Sequence, residues 1–327
     1  MLKLSRELKE CIVDANQKIK QRYLHDMIRD KQIIRRMINL RINKIRQIST
    51  NSVEKLLEKY GQKGIVAVDG SICSEGSCYP HYVSIMQAKA KATKKDADEI
   101  IKADFHSPLI EDYDRIENEE SSNEEKDEKI RINKLAVLEI ITASEALKNM
   151  NPTLIMTDGP LTRYYNCSRD EWEKFASQVI ETDTIVVGVI EEIKTSEVAK
   201  RFRGLIPERQ ESMYDREMLF GALEKGEGFI LNDWEVGGIR KCFVRMSNDP
   251  HVICIEYLNK QEDKIDEVLT VLLALTPEDG RGIPLWLDIV DAEVNITQKM
   301  VKILVETYID SEIRHRMINV KRETRKY

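Results

Sequence analysis

Glycine, proline and aromatic residues are scarce in this chain, with 14 glycines, 8 prolines and 6% aromatic residues among 327 positions. Neither a Walker A loop nor a G-x-G-x-x-G turn occurs, so the chain has no recognisable loop for cradling nucleotide phosphates. The cysteines include no C-x-x-C pair and the histidines include no pair four residues apart. Zinc fingers and helical zinc sites of the H-x-x-x-H kind are therefore not expected.

Long apolar runs are also missing, since no stretch reaches the ~20 residues that a membrane-spanning helix needs. The N-terminus is charged and helical in pattern and does not resemble a secretory signal. Six scattered cysteines are typical of reduced thiols. These features together predict a cytoplasmic protein that does not enter a membrane.

What is present is a balance of 42% hydrophobic and 33% charged residues, which is typical of one large globular domain with additions. The net charge of −6 is unevenly distributed. Lys and Arg outnumber Asp and Glu by about two to one in residues 1–60, and a basic run closes the chain. Either bias can be a solvated helical face or a contact for a polyanion.

Apolar residues recur at helical spacing through residues 1–60, where neither Gly nor Pro appears. We therefore expect a helical N-terminal extension, one long helix or a helical pair, that ends before Gly61. The remaining residues, 61–327, form the predicted main domain. An acidic stretch at about 111–128 is expected to be a solvated surface insertion.

After residue 60, hydrophobic periodicity predicts the element order β-β-β-α-β-α-β followed by further helices and strands. The predicted strands are 65–68, 82–92, about 103–110, 153–157, 184–190, 241–246 and 252–258, and the predicted helices are 129–149, 169–183, 215–223, 264–275 and 291–317. The leading order matches the connectivity of the RNase H-like fold. The expected class is therefore α/β, with a mixed sheet flanked by helices.

Two Asp-Gly pairs follow predicted strands, at Asp69 after residues 65–68 and at Asp158 after residues 153–157. In an RNase H-like sheet the first and fourth strands are neighbours, so these two carboxylates would converge at the carboxyl edge. Glu139, on the intervening helix, could add a third acid. Taken singly, each Asp-Gly pair is more typical of a turn, and Glu139 is more typical of a solvated helix face. It is the order of the strands that favours a site, because it brings these residues together.

Oxygen donors of this kind suit Mg²⁺ or Mn²⁺, and paired ions at such a site stabilise the attacking and leaving oxygens of a phosphoryl displacement. The three acids therefore predict a metal-dependent nuclease.

The same motifs resemble those of the NurA nucleases. Val68-Asp69-Gly70-Ser71 is similar to the first motif of that family, Glu139 matches its helical acid, and Asp158-Gly159-Pro160-Leu161 is similar to its second aspartate motif. Lys194-Thr195-Ser196 resembles a further segment with a basic residue. The resemblance extends from about Val66 to the C-terminus.

Gly282-Ile283-Pro284 resembles the Gly-Tyr-Pro element of the family, with Ile283 in place of the aromatic residue. The family has a His or an acid where this chain has Asp291. The resemblance implies that Asp291 is a fourth metal ligand and that Lys194 contacts a phosphate or orients a water. The alternatives are an Asp favoured near a helix N-terminus and a solvated Lys.

Membership of this family would imply a DNA nuclease that uses Mn²⁺ or Mg²⁺, forms a homodimer and acts with a HerA-like hexameric ATPase in DNA end processing or defence. Two other hypotheses remain open. One is a phosphotransferase of the actin and sugar-kinase kind, whose paired Asp-Gly turns would hold ATP phosphates. The other is a non-catalytic scaffold that binds DNA or a helicase through the basic ends.

Aromatic side chains offer one more possible contact with DNA, since they can stack on the bases of a single strand. Packing in the core or against a turn is the alternative for each of them. The candidates are Trp172, Trp234, Trp286 and the pair Tyr164-Tyr165.

Overall fold

The computed structural model describes residues 5–26, 30–94, 99–111 and 122–317. Its helices are α1 Arg6–Asp26, α2 Lys31–Arg41, α3 Val53–Lys63, α4 Asn123–Met150, α5 Leu161–Cys167, α6 Arg169–Glu181, α7 Glu197–Arg201, α8 Asp215–Met218, α9 Ile265–Leu275, α10 Leu285–Val294, α11 Gln298–Tyr308 and α12 Ser311–Met317. Its strands are β1 Arg46–Gln47, β2 Ile65–Gly76, β3 Tyr82–Ala92, β4 Ile100–His106, β5 Leu154–Asp158, β6 Ile185–Ile190, β7 Glu227–Ile230, β8 Ile239–Val244 and β9 Ile253–Leu258.

All of these strands belong to one mixed sheet in the order β1-β7-β8-β9-β6-β5-β2-β3-β4. The three central strands are parallel, since β2 pairs parallel with β5 and β5 pairs parallel with β6. All other pairs in the sheet are antiparallel. The predicted α/β class and the predicted contact between the first and fourth strands of the series are confirmed.

Helices cover both faces of the sheet because its central strands are apolar on both sides. In β2, Val66 and Val68 pack with α4 in one core cluster, whereas Ile65 and Ala67 pack with α9 and α10 in another. This alternation assigns Asp69 to the α10 face and Gly70 to the α4 face.

The N-terminal region is more closely joined to the main core than its pattern predicted. Helix α3 passes through Gly61, so the helix end expected before that residue was wrong. Tyr60 is fully buried in the cluster under α9, and Ile48 lies beside it. Gln47, the residue before Ile48, belongs to the edge strand β1, which pairs with β7.

The helix expected over residues 291–317 is three helices, α10, α11 and α12. The first break follows Val294, and Thr297 then caps α11 by accepting a hydrogen bond from the Met300 amide at 3.3 Å. Asp291 consequently lies in the second turn of α10 and not near the start of a helix. Apolar spacing continued across the break, which concealed it.

Several further boundaries differ from the prediction. The helix expected over residues 215–223 ends at Met218. Strand β4 begins at Ile100, about three residues earlier than expected. Of the acidic stretch, residues 112–121 lie outside the described part, while Asn123 onwards is helical because Ser122 and Glu125 form a capping box. All six cysteines are free. Within the described ranges no helix is long and apolar enough to span a bilayer.

Candidate metal centre

The candidate site lies where the central parallel pair of strands comes apart. Strand β2 pairs with β5 only as far as Val68, opposite Thr157, and β5 ends one residue later at Asp158. The end expected for β2 at Asp69 was wrong, since β2 continues to Gly76 by pairing with β3. Asp69 is nevertheless level with the end of β5, and an open crevice at this edge is where α/β sheets place their ligands.

Helix α10 brings the third acid, Asp291, over the same crevice. The helix is held on the sheet by the Trp286 indole, which donates to the Lys91 carbonyl at 2.9 Å. Lys89, the cross-strand neighbour of Asp69, contacts Glu293 of α10 at 2.7 Å. These contacts determine where Asp291 stands.

One carboxylate oxygen from each of Asp69, Asp158 and Asp291 lies within 4.8 Å of the others. Asp69 is buried, Asp158 is half-buried and Asp291 is exposed, so the cluster opens to solvent on the α10 side. Oxygen donors alone select a hard divalent cation such as Mg²⁺ or Mn²⁺. The acidic cluster is compatible with such an ion.

Glu139 reaches the cluster from the opposite face of the sheet through the space left by Gly70. A Cβ on Gly70 would lie 2.4 Å from Glu139 Oε1 and 2.8 Å from its Cγ, so any larger residue would displace the glutamate. Gly70 does not have a positive φ. Its role is therefore close approach, and the turn interpretation of Asp69-Gly70 was wrong.

The two oxygens of Glu139 have different surroundings. Oε2 accepts hydrogen bonds from the Tyr164 hydroxyl at 2.7 Å and from the Arg163 guanidinium. Oε1 is buried and accepts no hydrogen bond from any residue that the structure describes. Buried carboxylate oxygens normally accept hydrogen bonds, so an oxygen that accepts none and lies beside three other acids is available to bind a cation.

The acids hold their protons more tightly than usual. Burial, followed by repulsion from Asp158, raises the pKa of Asp69 to about 8. Burial raises the pKa of Glu139 to about 7, against the opposing charge of Arg163. Burial, with Asp291 adding to it, raises the pKa of Asp158 to about 6, and Arg163 and Arg281 oppose that rise.

Two arginines that the sequence did not single out supply the positive charge at the site. Arg163 lies on α5, in the turn after the Asp158 motif, and its guanidinium stands over the Tyr164 ring at 4.9 Å. Arg281 donates to Glu191 at 2.8 Å and to Asp288 at 2.6 Å at the exposed rim. Arg163 follows Asp158 by five residues, and that spacing was the only local signal.

Lys194, by contrast, is not joined to the acids. It contacts Glu192 at 2.9 Å and its side chain is 77% exposed. Two of the five aromatic candidates, Tyr164 and Trp172, are core residues that are each 2% exposed and stack at 6.1 Å. The other three are partly buried and pack against the core clusters: Tyr165, Trp234 and Trp286.

By sequence, the NurA domain family matches residues 63–296, which is 234 of the 327 positions. No curated protein gives a significant match to the chain.

Among solved structures, the NurA nuclease from Sulfolobus solfataricus is similar with a TM-score of 0.55 at 14% identity, over 93% of this chain and 96% of that one. The catalytic domain of human Endonuclease V aligns with a TM-score of 0.38 at 11% identity, over 85% and 95%. The Argonaute of A. aeolicus aligns with a TM-score of 0.33 at 12% identity, over 70% of this chain and 28% of that one.

Proposed function

Because the chain belongs to the NurA family of nucleases, we propose that it is a divalent-metal-dependent deoxyribonuclease, cleaving DNA as an exonuclease or single-strand endonuclease. The observation that supports this proposal best is the approach of Asp69, Asp158 and Asp291 to within 4.8 Å at the open end of the central parallel strands. No residue in that cluster is a soft ligand, which favours Mn²⁺ or Mg²⁺ over zinc.

In this proposal the three aspartates and Oε1 of Glu139 hold the cation. A divalent cation bound there supplies Lewis-acid stabilisation of the negative charge that develops on phosphate oxygens. Arg163 and Tyr164 keep the other oxygen of Glu139 engaged, so the side chain presents one oxygen in one orientation. Arg281 places a positive charge at the rim, where an incoming phosphate would meet it.

The biological setting is carried over from the family. We propose that the protein is cytoplasmic, forms a homodimer and works with a HerA-like hexameric ATPase in DNA end processing or defence. We propose that Lys194 contacts a substrate phosphate or orients a water, because its ammonium group is exposed.

Cleavage assays with matched variants test the proposal. Labelled single- and double-stranded DNA is incubated with the protein in Mn²⁺, in Mg²⁺ and in EDTA, with and without a cognate hexameric ATPase. Asp69→Asn and Asp158→Asn preserve shape and remove charge, while Asp170→Asn changes an exposed aspartate at the start of α6 and serves as the control.

We expect cleavage only when metal is present. The two site variants should lose at least 100-fold in cleavage rate, as is usual when a group that stabilises charge in the transition state is removed. The control variant should cleave DNA at the rate of the parent. Calorimetry with Mn²⁺ should show weakened binding in the same two variants. Metal-dependent cleavage that persists in both would place the active site elsewhere. ATP binding without any DNA cleavage would favour the phosphotransferase.

A further inference from the structure

Glu256, on β9, is a charged residue inside the protein that does not belong to the acidic cluster. Its side chain is 2% exposed. Lys241, which stands opposite it on β8, is 3% exposed. The Lys241 ammonium group lies over the Trp234 ring, 3.6 Å from the ring centroid. Removing charges from water is costly, so buried charges are kept where they make specific contacts.

The Glu256 carboxylate makes such a contact with the first turn of α5. Its Oε2 accepts a hydrogen bond from the Thr162 amide at 2.9 Å. The Thr162 hydroxyl donates to the same carboxylate, 3.0 Å from Oε2 and 3.2 Å from Oε1. Amides in the first turn of a helix have no partner within their own helix, and Pro160 before α5 offers no side-chain cap. Glu256 supplies the missing acceptor from another strand.

A missing side chain on β6 lets the two parts meet. Gly188 is the cross-strand neighbour of Glu256, so both belong to the same face of the sheet. A Cβ on Gly188 would lie 2.6 Å from the Gly159 carbonyl oxygen and 2.9 Å from the Leu161 amide nitrogen. The turn that follows Asp158 therefore crosses β6 over this glycine and reaches Glu256.

The position of α5 determines how Glu139 is held. Arg163 and Tyr164 directly follow Thr162, and both donate to Oε2 of Glu139. Oε1 is left without a hydrogen bond from the described residues. A shift at the start of α5 would move both donors together, because they belong to one helical turn. The contact between Glu256 and Thr162 thus bears on the direction in which Oε1 points.

We propose that Glu256 is a positioning residue of the metal centre, which orients Glu139 through Thr162 and the start of α5. The inference rests on the proposed function, because it takes Oε1 of Glu139 as a ligand of the cation. Loss of a group that orients a metal ligand typically weakens metal binding by about 10- to 100-fold. Since Glu256 acts through α5 and not on Glu139 directly, we expect a change near the lower figure.

Two double variants isolate the carboxylate as a hydrogen-bond acceptor. Both contain Lys241→Met, so that no lysine charge remains buried without its partner. Glu256→Gln keeps an oxygen that can accept from Thr162, whereas Glu256→Leu keeps a similar volume and has no acceptor. Replacing a buried ion pair by residues of similar volume is often neutral for stability. Both double variants should therefore fold, which circular dichroism checks.

Two measurements follow the metal centre in the folded variants. Calorimetry gives the affinity for Mn²⁺. Luminescence lifetimes of bound Tb³⁺, another hard cation that prefers oxygen ligands, give the number of coordinated waters when H₂O and D₂O are compared. The Glu256→Gln double variant should match the parent in both. The Glu256→Leu double variant should bind Mn²⁺ roughly 10-fold more weakly, with an additional water on Tb³⁺ in place of Glu139.

Gln261→Leu is the control for a loss of stability alone. Gln261 is buried near the start of β6, where it accepts from the Val186 amide at 3.2 Å and donates to the Thr184 carbonyl at 2.6 Å. Its loss should lower the melting temperature and leave the Mn²⁺ affinity and the water count unchanged.

Thr162→Val tests the same contact from α5 and serves if the Glu256→Leu double variant does not fold. It removes the hydroxyl and keeps the amide, so Mn²⁺ binding should weaken by about 2-fold or more. Thr162→Ser keeps the hydroxyl and is its matched control.

Parent-like affinity and water count in the Glu256→Leu double variant would overturn the positioning role and leave the nuclease proposal standing. Parent-like affinity in Thr162→Val would do the same if that double variant does not fold. A parent that binds neither Mn²⁺ nor Tb³⁺ would overturn both proposals.

Discussion

At the scale of single residues, the site depends on a side chain that is missing. Glu139 belongs to the α4 face of the sheet, and its Oε1 occupies the space where a Cβ of Gly70 would lie. The glycine thus acts as an opening in the sheet through which an acid from one face approaches acids on the other.

Substitution of this glycine should therefore impair the site while sparing the fold. We expect Gly70→Ala to displace Glu139 and to lower metal-dependent cleavage by at least 10-fold, with weaker Mn²⁺ binding by calorimetry. Gly61→Ala is the control, because a Cβ there has nothing within 4 Å and helix α3 should gain about 0.5–1 kcal/mol. Equal cleavage by both variants would contradict the role assigned to Gly70.

The raised carboxyl pKa values make the metal-free protein sensitive to pH. The pKa of Asp69 is raised from 3.8 to about 8, so between those values the folded state keeps a proton that the unfolded state has lost. The free energy of unfolding must then fall as the pH rises through this window. Asp69→Asn cannot ionise and escapes the loss.

We accordingly expect the metal-free Asp69→Asn variant to melt at least about 2 °C above the parent at about pH 8, and the difference to shrink at about pH 5. Saturating Mn²⁺ should stabilise the parent and leave the variant unchanged. Differential scanning calorimetry measures both. If the metal-free variant is less stable than the parent at the higher pH, then burial of the ionised Asp69 carboxylate does not lower the free energy of unfolding.

The acids Asp69, Glu139 and Asp158 could be predicted as a group because strand order is visible in hydrophobic periodicity. Their orientations could not. The partners of Glu139 are Arg163 and Tyr164, whose own sequence neighbours gave no reason to place them beneath α4. Only the packing of α5 against α4 shows which oxygen of Glu139 stays free.

At the scale of elements, helix α10 is the part of the site that sequence described least well. Its apolar pattern predicted one helix over residues 291–317, because the residues between α10 and α11 do not interrupt the spacing. By contrast, β3 was predicted at its true bounds, Tyr82–Ala92, since residues 88–92 alternate between alanine and lysine. The local hydrophobic pattern shows where elements lie, but it says little about where each one ends, because the ends depend on contacts with other elements.

Docking of α10 through Lys89 gives a prediction for this element. The Lys89 side chain is 9% exposed and contacts Glu293 and Glu99, each at 2.7 Å. Lys89→Met should leave two carboxylates without this partner and loosen α10. Amide hydrogen exchange in α10 should then be faster, and Mn²⁺ binding should be roughly 3- to 10-fold weaker. A tenfold change in binding corresponds to about 1.4 kcal/mol.

Lys302→Met is the matched control for that measurement, because Lys302 contacts Glu306 at 3.7 Å in an exposed pair on α11. Exposed pairs of this kind contribute little. Unchanged exchange in α10 after Lys89→Met would mean that the other contacts of the helix, among them those of Trp286 with the Lys91 carbonyl and of Glu293 with Lys91, hold it without Lys89.

At the scale of the whole molecule, the N-terminal 60 residues fall into two parts. The described side chains of α1 are exposed, apart from a half-buried Ala15. Ile38 and Tyr60, further along, are fully buried in different core clusters. The helical extension expected from sequence is therefore peripheral at its beginning and part of the core at its end.

Truncation should separate the two parts. A chain that begins at Asp30 keeps the residue that caps α2 and should melt within about 2 °C of the parent. A chain that begins at Gly61 loses buried Ile38, Ile48 and Tyr60, each removal costing about 2–5 kcal/mol, and should not fold. Circular dichroism and thermal melting distinguish these outcomes; equal stability of the two chains would contradict the core assignment.

The continuation of β2 beyond Asp69 also shapes access to the acids. Seven residues, Gly70 to Gly76, run on in a ladder with β3 after β5 has ended, and they extend about 24 Å. This length exceeds the ~12 Å width of a DNA major groove. Helix α11 packs on this extension, where the Gln298 amide donates to the Ser74 carbonyl at 2.9 Å. The carboxylates thus stand in a corner between β2 and the end of β5, and any substrate of the proposed nuclease has to enter that corner past the extension.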